Sequence, residues 1–267
     1  MKNKIILIFF FMNISGYGIA QEYTIQNGKI AYEYQITNQT GVITNSINNL
    51  YFSNDLTMFI SNTEKGSNMS SESNKDTVDS MGTIRKTKII RNSLTKFFFI
   101  NNRTKKIIFR TSVGMENYTV RDTLTPISWQ LYQEFKQVGE YKCQKATAPF
   151  RGRIYTVWFA KEIPVPYGPW KLNGLPGLIL EASDHKGKYQ YRALKMQFNI
   201  SKEEIETVLA LPKDVKRIDD MNVYIKAIQN ECENTRSRAL ASLPKGATLM
   251  LDCDDLDKTR NRTQESF

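Results

Sequence analysis

The sequence predicts a mainly β protein with a C-terminal helical part. The expected architecture is a strongly curved antiparallel sheet, half-barrel or sandwich-like, with one or two helices packed against it. Three observations lead there. Short apolar–polar alternations of period two recur from Ile30 to Tyr191. Turn-forming residues separate them at hairpin distances. After residue 200 the apolar spacing changes to steps of three and four.

The elements follow in order. Lys2 and Lys4 precede an apolar run at 5–12, and Gly18 and Ala20 are the small residues before Gln21, so 1–20 reads as a signal peptide. That run is far short of the roughly 20 residues that span a bilayer. No cysteine follows it to carry a lipid, and no later stretch is apolar enough to cross a membrane. The protein is therefore expected to be exported, to the periplasm or beyond. Ile30, Tyr32, Tyr34 and Ile36 alternate as a half-buried strand, and Leu56, Met58 and Ile60 repeat the pattern after the turn pair Asn54 and Asp55. Residues 61–80 are polar, an exposed loop or hairpin tip. Apolar runs at 97–100 and 106–109 flank a turn, a hairpin. Ile127, Trp129 and Leu131 alternate, as do Tyr155, Val157 and Phe159. Leu178, Leu180 and Ala182 pair with Tyr189 and Tyr191 across a turn.

Ser201 and Glu204 form a capping box ahead of Ile205, Val208 and Leu209, which share a helical face ended by Pro212. Met221, Tyr224, Ile228 and Cys232 place a second helix within 214–234, and 247–251 reads as a last strand. A single domain over 21–253 is expected, with 254–267 a polar, flexible tail.

The densest punctuation lies at 161–184, where Pro164, Pro166, Pro169 and Pro176 fall within 13 residues. Prolines fix φ and remove a donor, so 163–169 should be extended and rigid. Pro176 and Gly177 suit the centre of a type II turn, with positive φ at Gly177. The hexapeptide Gly174, Leu175, Pro176, Gly177, Leu178, Ile179, with Gly168, Pro169 and Trp170 before it, resembles the signature of the GLPGLI family of exported Bacteroidetes-type proteins. The likeness extends upstream through Tyr141, Cys143, Gly152, Arg153, Tyr155, Trp158 and Phe159. It implies an exported β-rich protein; it implies no reaction, substrate or cofactor. The signature has two readings. One is a rigid corner that packs the Trp170 indole over a sheet end. The other is a preformed clamp in which Trp158, Tyr167 and Trp170 are platforms and Arg153 contacts an anion.

Charge narrows the partners. The chain carries 37 Lys plus Arg against 27 Asp plus Glu, net +10. Without 1–20 the charge is +8, and 85–110 alone holds nine basic residues and no acid. These are Arg85, Lys86, Lys88, Arg91, Lys96, Arg103, Lys105, Lys106 and Arg110, which interleave with apolar residues and would form one basic face. Such a face either guards sheet edges against aggregation or docks an envelope protein, an anionic glycan or a lipid. Export argues against nucleic acid.

Signals of catalysis are few. His185 is the only histidine and lies in a turn beside Asp184; the chain has no nucleophile elbow, phosphate loop or zinc-protease motif. Glu181 and Asp184 could pair as in a glycosidase only if they converged. Asp252, Asp254, Asp255 and Asp257 lack the calcium-loop order, so no metal and no cofactor is expected. Cys232 and Cys253 could close a disulfide loop of about 20 residues, worth about 3 kcal/mol, leaving Cys143 as a buried thiol. The expected function is binding within the cell envelope, without catalysis. The alternatives are a carrier with an aromatic cavity inside the curved sheet, covered by the helices, and a secreted hydrolase built on Glu181, Asp184 and His185.

Overall fold

The computed structural model describes residues 24–37, 41–61, 75–78, 84–87, 94–114, 116–242 and 264. The expected signal peptide, the strand at 247–251, the acidic run at 252–257 and Cys253 lie outside the described residues. So do Lys88 and Arg91.

In chain order, β1 (Asn27–Thr37), β2 (Ile43–Ser53) and β3 (Leu56–Ser61) form a meander. A separate ribbon, β4 (Lys75–Val78) with β5 (Ile84–Thr87), is inserted before the meander resumes. It continues through β6 (Phe97–Asn101), β7 (Lys106–Val113) and β8 (Glu116–Thr123). A second meander follows: β9 (Gln130–Val138), β10 (Tyr141–Phe150), β11 (Arg153–Ala160), β12 (Leu178–Asp184) and β13 (Tyr189–Phe198). The chain ends in α1 (Lys202–Val208), β14 (Asp219–Asp220) and α2 (Met221–Ser242). Pairing of β1 with β13 joins the meanders into one 12-stranded sheet, ordered β14-β8-β7-β6-β3-β2-β1-β13-β12-β11-β10-β9. All pairs are antiparallel except β14 with β8.

Chain geometry shows why this open sheet must curl. β8 and β9 are consecutive in sequence but ten strand positions apart in the sheet. At about 4.8 Å per strand, a flat sheet would separate them by about 48 Å. Only 124–129 connects them, and seven residue steps reach about 25 Å at full extension. The two ends of the sheet must therefore approach each other around an interior.

Inward residues of both meanders make that interior: Ile30 and Tyr32 of β1, Leu50 and Phe52 of β2, Phe59 of β3, Tyr155 and Phe159 of β11, Tyr191 of β13. β2, β3 and β6 are covered on both faces. Tyr51, Met58 and Phe97 point the other way and meet Ile205 and Leu209 around α1. The cap of α1 forms as its sequence requires, with Ser201 Oγ accepting the Glu204 amide at 3.2 Å. α2 packs Tyr224 against Phe109 of β7 at 5.4 Å between ring centres.

Three local expectations differ from the structure. Ile127 and Trp129 are not strand residues, because 124–129 is committed to the crossing between sheet ends. The second helix starts at Met221, and Asp214 is withdrawn from it to receive Arg110. Gly177 lacks positive φ; among the glycines of the hexapeptide, Gly174 has it, at +90°.

Candidate functional site

Residues 161–177 leave β11 and cross the inside of the curl as a strap before β12 begins. The prolines remove donors from this strap, and several of its remaining amides bond within it. Gly174 N donates to Pro166 O at 2.9 Å, and Ile179 N to Tyr167 O at 3.0 Å. Close packing explains two glycines. A Cβ on Gly168 would meet Ile179 at 2.8 Å, and one on Gly177 would meet the Ala160 carbonyl oxygen at 2.2 Å.

At the strap's apex Trp170 has φ of +57°, a conformation unfavourable for a bulky residue. Burial offsets it: the indole is 2% exposed and lies edge-on or tilted to Phe98, Phe150 and Tyr155, at 6.5, 5.6 and 5.8 Å. The next residue, Lys171, is fully buried, with Nζ 4.1 Å from the centre of the Phe109 ring and 2.7 Å from Asp122 Oδ2. Arg151, in the β10–β11 turn, reaches the same oxygen at 2.7 Å. Asp122 belongs to β8, so this triad ties strap and second meander to the far end of the first. Burial pushes the Asp122 carboxyl up, but Lys171 and Arg151 outweigh it and hold the group below the usual carboxylate range.

Beside the strap the curl leaves a cavity of about 350 Å³. Its wall is aromatic: Tyr34, Phe59, Phe98, Phe109, Tyr189 and Tyr191 come from five strands, with Trp170 of the strap and Tyr224 of α2 closing over them. Tyr34 stacks on Tyr191 at 4.6 Å between centres. Desolvation raises the Tyr191 phenol far above its ordinary range and Tyr189 to about 12, so both phenols stay neutral at physiological pH, and the charged residues of the lining are Lys96 and Arg110. One end is polar. Arg153 Nη1 meets the buried Asp184 Oδ2 at 3.0 Å, and its guanidinium lies 4.7 Å from the Tyr189 ring centre. Asp184 Oδ1 accepts the Tyr189 amide at 3.0 Å. Gln264 enters here: its main-chain oxygen accepts from Arg153 Nε at 3.2 Å, and its Oε1 from the Tyr191 hydroxyl at 2.7 Å. Asn48 Oδ1 in the wall and Gln264 Nε2 are buried without a hydrogen-bond partner.

The four residues of the expected clamp do not converge. Arg153 and Trp170 face the interior. Tyr167 is buried, and its hydroxyl donates to the Asn54 carbonyl. Trp158 faces the opposite side of β11, under Lys136 at 4.6 Å from its ring centre. The hydrolase residues are also apart: Glu181 is on that outer side, paired with Lys136 and Arg192, Asp184 is inside, and His185 is exposed in the β12–β13 turn.

The basic residues do not share one face where they are described. Arg110 is 3% exposed and makes a two-pronged contact with Asp214, both oxygens at 2.9 Å. Arg103 pairs with Asp55 at the β6–β7 turn, while Lys96, Lys105 and Lys106 are exposed. Arg85 and Lys86 lie on β5. Cys143 is a buried free thiol; Cys232 lies on α2, and Cys253, its expected disulfide partner, lies outside the described residues. Among the described residues no cluster of three metal-ligating side chains occurs, and no helix is long and apolar enough to cross a membrane.

Sequence reasoning missed Asn48, Asp122, Lys171 and Gln264. Only Lys171 carries a local signal, as the one charged residue within 163–177.

Fold and site together define a class: a β-rich chain that curls an open sheet around an aromatic cavity and locks it with an internal strap. Residues 151–181 match the family model described as "Protein of unknown function (Porph_ging)", a segment that contains the hexapeptide and the whole strap. No curated protein matches the chain. Among solved structures, PNGF-II in its C2 and P21 crystal forms overlays with a TM-score of 0.49 at 16% identity. The overlay covers 78% of this chain, which spans about a third of the PNGF-II chain (33% and 34%). A domain described as an outer membrane lipoprotein-sorting protein domain, from Vibrio parahaemolyticus, overlays at 0.26 and 8% identity, covering 69% of this chain and 91% of that one.

Proposed function

We propose that this is an exported, envelope-associated carrier that holds a small, largely apolar ligand in the cavity of its curved sheet. The observation that carries the reading is the eight-aromatic wall around about 350 Å³ of space. That volume is at the lower end of the roughly 300–1,000 Å³ typical of small-molecule sites, which are concave and mostly apolar with a few placed polar groups. The N-terminal run with Lys2 and Lys4 supports export. The separation of Glu181, Asp184 and His185 counts against a hydrolase centred on them.

The test is uptake of N-phenyl-1-naphthylamine, a neutral probe that fluoresces in apolar surroundings. Saturable enhancement at one site per chain is expected, with loss in Thr111→Trp, where an indole on the inward face of β7 fills the cavity. No enhancement, or undiminished enhancement in a folded Thr111→Trp, would overturn the reading.

A further inference from the structure

The polar end of the cavity is already occupied by a residue of the chain itself, and the manner of its binding describes a ligand. We infer that this end recognises a neutral carboxamide, and that Gln264 holds the place as an internal stand-in which a ligand must displace. The inference rests on the cavity being a ligand site.

Three observations carry it. Both oxygens of Gln264 are recognised by donors fixed in the sheet, Arg153 Nε on β11 at 3.2 Å and the Tyr191 hydroxyl on β13 at 2.7 Å. These positions belong to strands whose registers are set by paired neighbours, so the two donors are held ready whether or not Gln264 is there. Charge supplies the second argument. Arg153 is compensated by Asp184, whose side chain is fully buried and whose other oxygen is used by the Tyr189 amide. A carboxylate at the position of the Gln264 oxygens would bring a second anion beside Asp184, with Arg153 already paired to Asp184 and Arg110 to Asp214, so that of the lining cations only exposed Lys96 is left to balance it, whereas a carbonyl needs none. The third is an unmet demand of both signs. Gln264 Nε2 is a buried donor without an acceptor, and Asn48 Oδ1, on a residue 4% exposed, is a cavity-lining acceptor without a donor. Buried polar groups are ordinarily paired. Gln264 thus satisfies the oxygen half of the site and leaves the N–H half open. A ligand with two amide carbonyls, one accepting from Arg153 and one from Tyr191, and an amide N–H that donates to Asn48 would use all of it, and its apolar remainder would face the tyrosine and phenylalanine wall.

The experiment uses the full chain as wild type and as Gln264→Ala, a change at a residue outside the sheet. Each is titrated calorimetrically with N-acetyl-phenylalaninamide and with N-acetyl-phenylalanine, which differs by ending in a carboxylate. N-phenyl-1-naphthylamine serves as an apolar reference. The diamide should bind both proteins, and Gln264→Ala severalfold to tenfold more tightly, the scale of removing the one competing hydrogen bond to Tyr191 while the main-chain carbonyl at 264 stays. The carboxylate should bind about tenfold more weakly than the diamide to each. Tyr191→Phe should weaken the diamide while leaving the naphthylamine unchanged. Equal affinity of wild type and Gln264→Ala overturns the stand-in. A preference for the carboxylate, or failure of the diamide where the naphthylamine still binds, overturns the carboxamide. Failure of all three probes on both proteins overturns the cavity reading beneath it.

Discussion

Replacing Gly177 by Ala tests how the hexapeptide acts. The added Cβ would lie 2.2 Å from the Ala160 carbonyl oxygen, 2.7 Å from its carbon and 3.0 Å from Lys161 Cα. Ordinary contact begins at 3.4 Å, so about 1.2 Å of separation is required against the oxygen, and the obstacles are all backbone. No rotamer change relieves them. The same carbonyl accepts the Ile163 amide at 3.3 Å, and Ala160 pairs with Leu178 where β12 leaves the strap. Moving it forfeits a hydrogen bond, worth about 1 kcal/mol, on top of the roughly 1–3 kcal/mol of overpacking. The expected loss is about 2–4 kcal/mol in urea unfolding. Gly139→Ala is the control. Gly139 has φ of +60° and open space around the added atom, so it should lose only the roughly 1–2 kcal/mol of a left-handed L-residue. If Gly177→Ala costs less than Gly139→Ala, close approach is not why glycine stands at 177.

Trp170→Ala removes an indole that is 2% exposed and should cost about 3–5 kcal/mol in the same unfolding assay; normal stability would show that the strap does not depend on it. Asp122→Asn leaves buried Lys171 and Arg151 without their shared anion and should cost about 3–5 kcal/mol at pH 7. Because the Asp122 carboxyl is held below its ordinary pKa, its contribution is present above about pH 4 and is lost as pH falls through the lower folded value. Urea titrations from pH 6 to 2 should therefore show a shallower acid slope in Asp122→Asn than in wild type. Burial, with a further push from Glu181, raises the Cys143 thiol to about 11. Peptide mapping after alkylation at pH 8 should find Cys143 unmodified in the native protein and modified in urea.

What could be read from the sequence was local. β11, the β6–β7 hairpin and the β12–β13 hairpin follow from alternation and turns within ten to twenty residues. So does the Ser201 cap. β2 was hidden because α1 covers its outer side, so that Asn48 to Phe52 are buried without interruption and no period of two appears. β8 was hidden by its polar residues. Glu181 and Asp184 separate for a period-two reason, since residues an odd number apart on a strand point to opposite faces, and His185 lies past the strand in the turn. The interior site was illegible because each of its links is long-range. Asp122 and Lys171 are 49 residues apart, and Tyr191 and Gln264 are 73 apart. Tyr34, Tyr189 and Tyr191 are readable as inward-facing, but nothing local says that three tyrosines on two strands border a space.

The seam between the two meanders has a kinetic consequence. Gly28 of β1 pairs with Phe198 of β13, and Ile36 with Tyr189, so the first strand waits for more than 150 residues of chain before its second neighbour exists. Until then the completed first meander exposes one row of unbonded amides and carbonyls along β1, a template for pairing with any other extended chain. Contacts of such sequence separation slow folding to the millisecond-to-second range and favour aggregation of partly folded chains at high concentration. Refolding yield should therefore fall steeply with protein concentration, and a short peptide copying Tyr189–Phe198 should trap the chain by taking the place beside β1 before β13 arrives.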